Sequence, residues 1–123
     1  MSDDREGGGP RSPYPLRKLP VGTAGHLRNQ LDALAHGHGK VLRHGEKAWA
    51  SITFEGARHT LEIEFAGGEA VAAGEAFIAE LPEHEFAIPG QLVADATVTR
   101  AEYVLLPAPK LTVECELLLL KNA

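Results

Sequence analysis

Polar and apolar positions alternate along Lys47-Ala-Trp-Ala-Ser-Ile-Thr-Phe54 and again along Ala57-Arg-His-Thr-Leu-Glu-Ile-Glu-Phe65, with Glu55-Gly56 between them. A period of two marks half-buried strands, and two such runs joined by a short loop predict a β-hairpin. With a two-residue loop, Phe54 stands opposite Ala57, Ile52 opposite His59, Ala50 opposite Leu61 and Ala48 opposite Ile63 on one apolar face. The other face then pairs Thr53 with Arg58, Ser51 with Thr60, Trp49 with Glu62 and Lys47 with Glu64. A slip of one residue would set Ile52 against Arg58 and mix the faces. Glu is a poor first residue for a primed turn, so the segregation of faces carries this register more than the turn chemistry does.

On either side of the hairpin the period becomes helical. Ala24, Leu27, Leu31 and Leu34 form one stripe, with Thr23 as the expected N-cap and Gly37 as the stop. The connection His36-Gly-His-Gly-Lys40 leads to Val41-Leu42, a possible short strand, before His44-Gly45 turns the chain into the hairpin. After Gly67-Gly68, residues 69–81 place Val71, Gly74, Ile78 and Leu81 on one helical face, flanked by Ala70 and Phe77. Alanine and glutamate favour helix there and Pro82 stops it. Gly74 is the weak point of that helix, and the alternative is a mostly β chain.

The remainder is β-rich. Leu92, Ala94, Ala96 and Val98 alternate with Val93, Asp95, Thr97 and Thr99, the run continues to Leu106, and it returns as Leu111 to Leu120 after Pro107-Ala-Pro-Lys110. The two prolines fit a loop because neither can donate a ladder hydrogen bond. A straight strand from Leu92 to Leu106 would be about 50 Å long at roughly 3.3 Å per residue, so a bend is expected near Arg100-Ala101. The resulting order is α-β-β-α-β-β. It predicts an α+β fold with one antiparallel sheet of about four strands and both helices on its apolar face. The order resembles an internal α-β-β duplication without a residue-level repeat.

Residues 1–20 hold three consecutive glycines and Pro10, Pro13, Pro15 and Pro20, a composition expected of a disordered tail. Residues 21–123 are left as one domain. With 44% hydrophobic and 24% charged residues, the chain has the composition of a globular protein. Its formal net charge of -5 argues against nucleic acid or an anionic membrane surface as partner. Met1 to Pro10 carry no apolar leader run, and the longest apolar run, Leu117 to Leu120, is too short for a bilayer, so a cytoplasmic location is expected. The one cysteine, Cys115, falls in phase with Leu111, Val113 and Leu117 and reads as a buried thiol.

Candidate chemistry starts with the six histidines. His36, His38 and His44, with Glu46 nearby, could supply imidazole ligands to a transition metal. The glycines around His38 and the lack of any zinc-type spacing argue against it, and no cofactor is implied. His59 lies on the expected core face, where burial lowers its pKa. It could act as a base in a pocket with His84 and with Glu85 or Asp95, although a structural histidine explains the same position. Trp49 falls on the polar face beside Arg58 and Glu62, a combination that suits a recognition surface for a protein partner or ligand. Leu118 and Leu120 break the alternation at the end of the last strand, so their face needs cover, from within the chain or from a second copy in a homodimer. No phosphate-binding loop, nucleophile elbow or activated cysteine is present. The composite expectation is a small non-enzymatic binding or protein-interaction module.

Overall fold

The computed structural model describes residues 22–122; the expected tail over residues 1–20 lies outside them. Helix α1 spans Thr23–Leu34, strand β1 Lys40–Ala50, β2 Glu55–Ala66, helix α2 Gly68–Glu80, β3 Gln91–Val104 and β4 Lys110–Lys121. A single 3-10 turn, Leu81–Glu83, follows α2. The α+β architecture with a four-stranded antiparallel sheet and α-β-β-α-β-β order agrees with the sequence pattern. The sheet order is β1-β2-β4-β3, so the two hairpins meet through β2 and β4, and β1 and β3 are the edges.

Both helices cover one face. Leu27 and Leu31 of α1 and Phe77 of α2 are buried against Leu61, Ile63 and Phe65 of β2 and Leu111, Val113, Cys115, Leu117 and Leu119 of β4. The inner faces of the central strands thus supply most of the core, as expected from their strict alternation. The Phe65 and Phe77 rings tilt against each other with centroids 5.8 Å apart. Gly74 is explained by this packing. A Cβ there would sit 2.8 Å from Leu111 Cδ2 and from Phe65 Cγ, so glycine lets α2 approach the sheet at the expense of some helix propensity. Thr23 is the first helical residue rather than the cap, which is Gly22.

The first hairpin departs from the expected register. Ala50 stands opposite Glu55, Trp49 opposite Gly56 and Ala48 opposite Ala57, a displacement of six residues along β2 from the expected Ala48 to Ile63 pairing. The loop is Ser51 to Phe54, not Glu55-Gly56. It is closed by the Ser51 amide donating to the Phe54 carbonyl at 2.7 Å and the Phe54 amide donating to Ser51 Oγ at 3.1 Å. A hydroxyl that satisfies a turn amide outweighs a glutamate forced into a primed turn. Because the shift is even, every side chain of β2 keeps its face. Ile52 and Phe54, expected in the core, are exposed at the loop instead. The shift also recruits residues 40–46 into β1, so His44-Gly45 is strand and not a turn; an irregularity at Leu42 resets the register.

In β3 the bend takes the form of two irregularities, between Val93 and Asp95 and between Val98 and Arg100. The second lies beside the expected bend. The first changes the phase, so Val93, Ala96 and Val98 pack against the core while Leu92, Asp95, Thr97 and Arg100 share the outer face.

Candidate functional site

Two places on the sheet bring together residues with functional potential. The first is on the inner face near the β1 edge. His59, in the middle of β2, stands opposite Glu46 of β1 and Leu117 of β4 rather than opposite Ile52. It is 1% exposed and is the buried polar side chain among the described residues. Its Nδ1 lies 2.9 Å from Nε2 of His44, so one of the two imidazoles donates and the other accepts. Burial lowers the pKa of both rings. Each also lies within electrostatic reach of Glu46, which raises it, while His59 and Arg28 lower His44 further. Two neutral rings sharing one hydrogen bond satisfy a buried imidazole without a charge.

His59 borders an open cleft of about 570 Å3 that also meets Thr23, Glu46, Ala48, Gln91 and Lys121. His84 and Glu85 are elsewhere, lining a cleft of about 400 Å3 with Gln30, His36 and Glu80 at the ends of the helices. The His84 ring stands edge-on to Phe86, with centroids 4.6 Å apart. The segment is anchored by Gln30, whose Oε1 accepts the Ala87 amide at 3.1 Å and whose Nε2 donates to the Ala87 carbonyl. Asp95 is on the opposite face of the sheet, where Thr97 Oγ1 donates to its carboxylate. The grouping of His59, His84, Glu85 and Asp95 is therefore not assembled. Nor is the metal grouping: His44 bonds to His59, and among the described residues no three His, Cys, Asp or Glu side chains converge closely enough to hold a metal. The thiol of Cys115, between Leu61 and Val98 in the sheet, is buried and pushed up to about 12.

The second place is the outer face. Over most of its length it is a lattice of opposite charges, with Arg43 paired to Glu62 at 3.2 Å, Arg58 to Glu116 at 3.4 Å and Lys110 to Glu64 at 3.7 Å. At the end nearest the first hairpin loop it becomes apolar. Trp49, Gly56, Leu120 and Leu92 lie side by side in one row across the four strands, and Leu118 lies in the next row between Arg58 and Asp95. Gly56 is required there, since a Cβ would lie 1.9 Å from the Leu119 carbonyl oxygen. Leu120 is 7% exposed, Leu92 is 53% exposed, and Trp49 is half-buried. Arg58 is a diagonal neighbour of Trp49. Glu62 is not: it lies six residues further along β2, about 20 Å away at roughly 3.3 Å per residue, and is held by Arg43. Leu92, the missing member of this surface, was obscured by the irregularity at Ala94. Its sequence signal is only that it is a large apolar residue at the start of a strand.

No family model matches the chain, and no curated protein matches it in sequence. A chain of the solved structure "Virion of native gene transfer agent (GTA) particle" is similar in fold, with a TM-score of 0.54 and 15% identity, over 81% of this chain and 92% of that one. The likeness is one of fold. No helix among the described residues is long and apolar enough to cross a membrane.

Proposed function

We propose that this protein is a non-enzymatic protein-interaction module of the cytoplasm that contacts its partners, a second copy among them, through the apolar end of its outer sheet face. The observation that carries this reading is the row of Trp49, Leu120 and Leu92 on a face that is otherwise a lattice of charges. The neighbouring loop adds the exposed Ile52 and Phe54. A cluster of large apolar side chains ringed by polar ones is the usual composition of a protein contact, with tryptophan over-represented among the residues that dominate its energy. The fold neighbour belongs to a virion particle, an assembly of proteins, which supports an assembly role over a reaction.

A photo-crosslinking residue placed at position 92 or 54 in the cells that make the protein tests the proposal. Discrete protein adducts at both positions, and none at position 69 on the helical side, are the expected outcome. No adduct at 92, or the same adduct at all three positions, would overturn it.

A second reading, a small-ligand carrier, is favoured by the His59 cleft alone. It expects ligand-dependent shifts of the His44 and His59 ring signals in NMR; unchanged ring signals under every ligand tried would leave the histidine pair a structural one.

A further inference from the structure

Resting on the interaction reading above, we infer that the partner of the apolar end is a second copy of this chain, packed sheet to sheet about a two-fold axis parallel to the strands. The geometry points to this axis because the outer face is self-complementary under it. Rotation about a line between β2 and β4 lays β1 of one copy over β3 of the other and β2 over β4, keeping the same end in register. The apolar row then falls on its own reverse. Trp49 of one copy meets Leu92 of the partner subunit, on either side of the nearly buried Leu120 and the side-chain-free Gly56 at the middle of the row.

The next row supplies the charges. It runs Lys47, Arg58, Leu118, Asp95 across the sheet. Arg58 is paired within the chain, whereas among the described residues neither Lys47 nor Asp95 has an ion-pair partner. They sit at opposite edges of one row with opposite sign, and the rotation brings each onto the other twice over. Isologous contacts are built from such pairings. The row of Arg43, Glu62, Glu114 and Arg100 would instead meet like with like. The contact therefore centres on the apolar end, and the sheets diverge beyond it, as aligned sheets crossing at about -30° do. An in-plane axis perpendicular to the strands would not bring Lys47 to Asp95.

Sedimentation equilibrium of the full chain tests the inference, with charge reversal to fix the axis. The expected result is a dimer whose dissociation constant rises about tenfold in Lys47→Glu and in Asp95→Lys, each of which sets like charges together, and returns to within a few fold of wild type in the double variant. Leu92→Ser is expected to dissociate it. Both charged sites are exposed, and unchanged melting curves verify that the variants fold. A wild-type chain that is monomeric up to millimolar concentration overturns the dimer, while heterologous adducts at position 92 would leave the interaction module standing. A dimer that the double reversal does not restore overturns the proposed axis.

Discussion

The two halves of the sheet's inner face are built differently. Beneath α2, the centre of the sheet is sealed: Phe65, Leu111, Val113 and Cys115 are buried and Gly74 lets the helix close upon them. Toward the β1 edge, the same face carries His44 and Glu46 where the centre carries leucine and valine, and an open cleft reaches His59. The sealed half holds the fold by close packing, where loss of volume or excess volume is equally felt. The margin is held by a polar contact between two imidazoles, whose strength depends on protonation.

Phe77→Ala empties a fully buried position over the centre of the sheet. It is expected to cost about 3 to 5 kcal/mol in denaturant unfolding. A loss below about 1 kcal/mol would mean that α2 does not seal the sheet. Gly74→Ala comes next, with two effects of opposite sign. Alanine gains about 1 kcal/mol of helix propensity, but its methyl would press on Phe65, which is buried on all sides, and overpacking costs about 1 to 3 kcal/mol. Net destabilisation is expected, and a higher melting temperature would show that the helix can shift outward.

At the margin the expected change is smaller and depends on pH. Burial lowers the pKa of both His44 and His59, so the unfolded chain takes up protons at a higher pH than the folded one. The neutral pair's contribution is fully present above the ordinary histidine pKa and is lost as pH falls below it. The melting temperature is expected to decline between about pH 7 and pH 5. The part of that decline due to the pair should vanish in His59→Leu, and an unchanged slope would place the acid sensitivity elsewhere.

Much of this arrangement was legible in the sequence, and the failures have specific causes. The buried faces of β2 and β4 were readable because Leu61, Ile63 and Phe65, and Leu111, Val113 and Cys115, alternate without a break. The helix over residues 69–81 was readable despite Gly74. The loop of the first hairpin was not, because Glu55-Gly56 resembles a turn while the hydroxyl of Ser51 makes one. From that single misplacement follow the exposure of Ile52 and Phe54, the separation of Trp49 from Glu62, and the unforeseen partner of His59. In β3, the irregularity at Ala94 turned Leu92 to the outer face and Val93 to the core, and nothing in the alternation itself marks the residue at which a strand changes phase.

The kind and order of the elements, and the face on which most side chains lie, follow from periods of two and of 3.6, which are local properties of the chain. Which residues stand opposite one another, and the meeting of β2 and β4 at the centre, depend on how the folded chain packs. A register shifted by six residues preserves every face and so leaves the hydrophobic pattern unchanged. The choice among such registers rests on contacts across the paired strands, with Ser51 closing the loop on Phe54 and His44 meeting His59, while the approach of β2 to β4 rests on contacts such as Gly56 against the Leu119 carbonyl.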